Sequence, residues 1–138
     1  MEKITVYIGW ADKNYSAYTN DFERLNGTIA ATGKTLENIK SEFQSAFQFH
    51  IEGCKKDGDK LPDYILSENY VLDYVLETSA LLHSFDGIIT RSALSRITGI
   101  NQRQIGHYAA GLRKPRVEQR KKIITGFHKI GKELSSVV

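Results

Sequence analysis

Within residues 102–107, QRQIGH, three side chains could make directed contacts with a flat hydrogen-bonding partner. A glutamine amide sets a donor beside an acceptor, an arginine guanidinium is a planar fork of donors, and an imidazole carries one nitrogen of each kind. This is the chemistry of reading base edges, since Gln can meet adenine N6/N7 and Arg guanine O6/N7 bidentately. Gln102, Arg103 and His107 are therefore the candidate base-reading residues. Cations flank them: Arg91 upstream and Arg113, Lys114 and Arg116 downstream suit phosphates, as do Arg120, Lys121 and Lys122 further on, and Gln104 is a further candidate for the DNA backbone. Such contacts hold a protein on a duplex without reading its sequence. Alone, RKPR at 113–116 reads as a solvated loop; beside the polar helix it reads as a phosphate-binding segment.

These side chains need a rigid support, and the local signals predict one. Thr90 can cap a helix over RSALSRIT, with Ala93, Leu94 and Ile97 at helical spacing and Gly99 as a left-handed stop. Asn101 caps the next helix, Gln104 three residues on is placed to complete a capping box, and Gly111 ends it. Ile105 and Tyr108 then point inward and Gln102, Arg103, Gly106 and His107 outward. Helix, glycine turn and polar second helix is the helix-turn-helix layout, whose second helix enters the major groove. Gly106 either permits close approach to DNA or serves packing. Before this pair, Thr78 is an N-cap candidate for a helix over SALLHSF that closes at Asp86-Gly87. After it, a helix over about 117–134 lines up Ile123, Ile124, Phe127, Ile130 and Leu134 for core packing or a dimer.

The first half reads differently. In ITVYIGW, Ile4, Val6, Ile8 and Trp10 alternate with Thr5, Tyr7 and Gly9, the period of a half-buried strand. ADKN turns into a second strand at YSAYT, DFERLNG is a looser segment, and TIAAT at 28–32 makes a third strand whose small alanines imply close packing. Thr35 caps an amphipathic helix with Leu36, Ile39, Phe43, Phe47, His50 and Cys54 on one stripe. His50 reads as a histidine at the packed edge rather than a metal ligand. The turn-rich KKDGDKLPD is a loop, and Tyr70, Leu72, Tyr74 and Leu76 alternate along a last strand. The expected fold is thus α+β, a small β-β-β-α-β domain over residues 1–76 followed by an all-α helix-turn-helix domain over 77–138.

Charge divides at the same place. Residues 1–76 hold 8 Lys/Arg against 12 Asp/Glu and residues 77–138 hold 11 against 4, so the halves carry −4 and +7. The basic half suits a polyanion and the acidic half a cationic partner. The single Cys54 can form no internal disulfide and suits a reducing compartment. No apolar run approaches the roughly 20 residues of a membrane span and MEKITVYIGW lacks the order of a signal peptide, so a cytoplasmic protein without membrane association is expected. No catalytic Ser/Cys–His constellation, metal-ligand set or cofactor motif stands out, and no enzyme activity, metal or cofactor is expected.

Two resemblances follow from these residues. ALSRITGINQRQIGHYAAGLRKPR resembles the helix-turn-helix of the Cro/phage-repressor (XRE) class, with its glycine turn, Gln-bearing recognition helix, glycine stop and basic Lys-Pro segment. Ser95 departs from the usual Ala. Residues 3–76 resemble the N-terminal domain of HicB antitoxins, a partial ribonuclease H-like fold, through element order, the TLEN helix start and the HIEG…DG helix end. The resemblance implies a type II antitoxin that blocks a small, basic, HicA-like mRNA interferase with its first domain and represses its own operon with its second. A toxin-free transcriptional regulator is the alternative, and a nucleic-acid enzyme is the weakest reading. Partners would be operator double-stranded DNA, the toxin and a second copy, as a homodimer or higher homo-oligomer, because helix-turn-helix proteins read half-sites in pairs.

Overall fold

The computed structural model describes all residues from Met1 to Val138, in two compact units, Met1–Glu77 and Thr78–Val138. The chain is mixed α+β, with one four-stranded mixed sheet and seven helices.

The first unit is built on β1 (Glu2–Ala11), β2 (Asn14–Asp21), β3 (Gly27–Gly33) and β4 (Tyr70–Leu76) in the order β3-β2-β1-β4. The first three strands are antiparallel neighbours, and β4 pairs in parallel with β1 from Glu2↔Tyr70 to Ile8↔Leu76. A tight turn joins β1 to β2, with Asp12 taking the left-handed conformation it requires. Alternation sends Ile4, Val6 and Ile8 of β1, Tyr15 and Ala17 of β2 and Ile29 of β3 to one buried face.

Helix α2 (Leu36–Asp57) covers that face with Ile39, Phe43, Phe47, Ile51 and Cys54. Full burial of Phe43 and Phe47 contributes about 1.5–3 kcal/mol each. Their rings meet Tyr74 edge-on at 6.4 Å and Tyr70 at 5.3 Å, which fastens the edge strand β4 to the helix. Thr35 caps α2, its hydroxyl accepting from Asn38 N at 3.0 Å. Gly33 lets the helix start close to β3, for a Cβ there would stand 2.9 Å from Ile39 N.

Helices are not confined to the C-terminal half. The first unit holds three, where one was expected. DFERLNG, expected as a looser segment, contains α1 (Phe22–Leu25), because Asp21 caps it through Arg24 N at 2.8 Å and Leu25 is fully buried beneath. KKDGDKLPD is not all loop: α2 runs on to Asp57, where Gly58 in the left-handed conformation ends it. After Pro62 comes α3 (Asp63–Leu66), which buries Ile65. The buried stripe of α2 includes Ile51, while Leu36 and His50 are half-buried at its margin.

The second unit consists of α4 (Thr78–Ser84), α5 (Arg91–Thr98), α6 (Gln102–Ala109) and α7 (Val117–Ser135) around Leu82, Leu94, Ile100, Ile105, Tyr108, Ala109 and Ile123. α7 lies close against α5, since a Cβ on the buried Gly126 would come within 3.0 Å of Thr98 Cγ2. Thr78 is the first residue of α4 rather than its cap: its buried hydroxyl accepts from Arg120 Nη1 at 2.8 Å. No helix is long and apolar enough to cross a membrane.

Candidate nucleic-acid interface

α5 and α6 are joined by three residues, Gly99-Ile100-Asn101. Gly99 has φ 74°, a left-handed conformation that reverses the chain and is costly for a residue with a Cβ. Three side-chain bonds brace the turn. Thr98 Oγ1 donates to Leu94 O at 2.6 Å and accepts from Ile100 N at 3.2 Å, and Ser95 Oγ donates to Ile100 O at 2.6 Å. Ile100 plugs the core from within the turn. Ser95 thus supplies a bond that alanine could not.

Asn101 caps α6 by accepting from Arg103 N at 2.8 Å. Ile105, Tyr108 and Ala109 are buried, which leaves Gln102, Arg103 and Ala110 exposed with Gly106 half-buried between them. The expected capping box does not form. Gln104 instead donates its amide to Tyr108 Oη at 2.9 Å, one turn ahead, and is half-buried. The glutamine thus holds a core tyrosine in place. His107 is half-buried rather than fully outward, and its Nδ1 is buried without a hydrogen-bond partner.

Arg91, exposed at the start of α5, brings a guanidinium nitrogen within 3.4 Å of where a Gly106 Cβ would stand. The glycine leaves room for this arginine beside α6, and Asp86 lies 3.9 Å from the same guanidinium. Arg113, Lys114 and Arg116 are exposed after α6, and Lys121 and Lys122 are exposed on α7. Arg120 corrects the expectation for that cluster. It is half-buried and bonded to Thr78, which ties α7 to the start of α4 and does not leave its guanidinium at large for a phosphate.

Elsewhere, the first unit brings one polar pair together. His50 Nε2 stands 2.5 Å from Leu25 O, so it carries the proton, and Cys54 Sγ lies 3.6 Å from the same nitrogen. His50 and Cys54 lie one helical turn apart, and i,i+4 spacing puts both on one face of α2. No third His, Cys, Asp or Glu completes a metal-ligating group. Burial pushes the Cys54 thiol up, against a smaller opposing effect from Asn26, so it is a poor nucleophile at neutral pH. The buried strand face of Ile4, Val6 and Ile8 bears no acid, and Asp73 is exposed on β4.

No family model, curated protein or solved structure matches this chain.

Proposed function

We propose that the chain is an antitoxin that binds operator DNA through α6 and neutralises a small basic mRNA interferase through its first unit. The observation that carries the DNA reading is the outer side of α6, where Gln102 and Arg103 stand exposed on a helix anchored behind by Ile105, Tyr108 and Ala109. A braced three-residue turn from α5 supports a helix-turn-helix, with α6 as the helix that enters the major groove. In this reading Gln102 and Arg103 meet base edges, His107 meets a base or phosphate from the half-buried side, and Arg91, Gln104, Arg113, Lys114 and Arg116 serve the backbone.

The antitoxin part rests on the resemblance of residues 3–76 to HicB domains and on the −4 balance of residues 1–76, which suits a cationic protein. The arrangement of one long helix on a four-stranded sheet supports a β-β-β-α-β domain of that kind, with α1 and α3 as short additions. We read the unit as a binding domain rather than a nuclease, because its central strands offer no cluster of acids; magnesium-dependent cleavage of an RNA–DNA hybrid would overturn that reading.

The test is a pull-down of the tagged protein from its native cells, at salt high enough to strip nucleic acid, with co-eluting proteins identified by mass. A small basic protein near equal amounts is expected. Its absence would leave a toxin-free transcriptional regulator as the better account of the same α6.

A further inference from the structure

Strand β4 closes one side of the sheet, paired with β1 alone. Asn69 O accepts from Glu2 N at 3.4 Å and Glu77 N donates to Ile8 O at 2.7 Å, so along this parallel ladder the odd-numbered residues turn their main-chain groups toward β1. Tyr70, Leu72 and Tyr74 turn theirs the other way, and no residue of the chain bonds to those three N–H and three C=O groups. Edges of this kind are ordinarily blunted by lysine, proline or a bulge. YVLDYVL has none of these: its register with β1 is unbroken over seven pairs, and its residues are aromatic or aliphatic apart from Asp73. The opposite edge differs, for β3 has a glycine at each end and two alanines, all poor strand formers.

We propose that β4 is a docking edge for an extended segment of a cationic protein, which adds a fifth strand to the sheet. For the identity of that protein the proposal rests on the reading of the first unit as the binder of a small basic partner. A row of unpaired main-chain donors and acceptors specifies an extended occupant, since a strand presents complementary groups at the same spacing.

The side chains on the two faces specify its residues. Toward α2 lies a cleft lined by Phe47, Tyr70, Leu72 and Tyr74 with Gln44 and Gln48. That side already holds a cation, with Lys40 Nζ 5.4 Å from the Tyr74 ring centre, and takes apolar residues. On the opposite face Asp73 is exposed between Val71 and Val75, and its carboxylate makes no ion pair or hydrogen bond within the chain. A lysine or arginine placed across from it completes a cross-strand pair. The occupant is therefore a run in which apolar residues alternate with basic ones.

A second copy fits this edge less well. Full antiparallel pairing of Tyr70–Leu76 with itself is centred on Asp73 and sets it against the same residue of the copy, in the kind of pair where side chains stand closest. Like charges directly opposed destabilise a ladder. The one acid that suits a basic strand thus works against self-pairing.

Fluorescence anisotropy of the full chain with a labelled peptide of about seven residues, valine alternating with lysine, tests this beside a counterpart of valine and glutamate. The basic peptide should bind with Kd on the order of 100 µM and the acidic one at least about tenfold more weakly. Asp73→Lys should invert that preference. The basic peptide N-methylated at alternate residues, which keeps its side chains but loses the donors that face β4, should not bind up to about 1 mM. If Asp73→Lys does not fold, amide hydrogen exchange of the wild type decides: slowing at Tyr70, Leu72 and Tyr74 on addition of the basic peptide upholds the edge, and slowing elsewhere removes it. No binding of the basic peptide overturns the proposal, as does an unchanged preference in Asp73→Lys. Equal binding of the N-methylated peptide overturns it too, since charge would then attract without a strand being added. Protection of the same amides that rises with chain concentration alone gives the edge to a second copy and likewise overturns it. Strand addition at β4 in a chain whose pull-down yields no basic protein would keep the edge and remove the antitoxin reading. A basic partner recovered by a chain that ignores the peptide would keep that reading and remove the edge.

Discussion

On the proposed DNA reading, Arg103 and Lys114 separate two kinds of contact that a basic surface otherwise blends. Both are exposed, but Arg103 lies on the outer side of α6 and Lys114 in the segment after it. Arg103→Ala should cost about 1–3 kcal/mol on the operator and relax preference at one base pair, whereas Lys114→Ala should weaken all duplexes alike. Titration of each variant against specific and random duplexes checks the division; equal losses for Arg103→Ala would remove its base-reading role. At Asp21, burial works to raise the carboxyl, but hydrogen bonds from the Arg24 main chain and side chain, with its charge, outweigh it and hold the group below its ordinary value. A lowered folded-state pKa gives stability that is present above the unfolded carboxyl's value, about 3.9, and is lost as pH falls through the folded one. Asp21→Ala should therefore cost about 1–2 kcal/mol at neutral pH through loss of the α1 cap, and less under acid. Urea denaturation at pH 7 and pH 3 measures both.

At the scale of elements, backbone proximity decides what a substitution does. A Cβ at Gly33 would meet Asn38 Oδ1 at 2.7 Å and the Ile39 backbone at 2.9 and 3.0 Å, and the backbone of a helix start cannot step aside as a flexible side chain can. Gly33→Ala should destabilise the first unit by about 1–3 kcal/mol, measured by denaturation; a neutral result would mean that α2 does not sit this near β3. The alanines of that strand were expected to mark close packing, but Ala30 is exposed and Ala31 half-buried, and the close approach is at Gly33. Periodicity marked β1, β2, β4 and α2 because their apolar residues recur at 2 or 3.6 and one face is buried, or in β4 half-buried. Helices α1 and α3 left no such trace. Each has four residues, and their order comes from the Asp21–Arg24 bonds and from Leu25 and Ile65 reaching the core. Around α6 the residue types and the inward Ile105 and Tyr108 were legible, whereas the partners of Gln104 and Arg120 were not. Tyr108 competes with the cap for the first, and Thr78, distant in sequence, takes the second.

For the whole molecule, the charge division is the feature with the widest consequence: residues 1–76 carry −4 and residues 77–138 carry +7, which on the proposed reading suits two kinds of partner. Binding to DNA by the basic unit should weaken steeply with salt, at a slope near −0.9 per phosphate neutralised, and Lys114→Ala should reduce that slope by about 1. On that reading the exposed cations beside α6 would provide for this, and specificity would come from α6 itself. The most direct test is fluorescence anisotropy of the full chain on the duplex upstream of its own gene and on a shuffled duplex of equal length and composition, near physiological salt. Tighter binding of the upstream duplex by at least about a thousandfold is expected, with that preference reduced by Arg103→Ala. Equal affinity for the two duplexes would contradict sequence reading by α6 and leave a basic surface with no specific DNA partner.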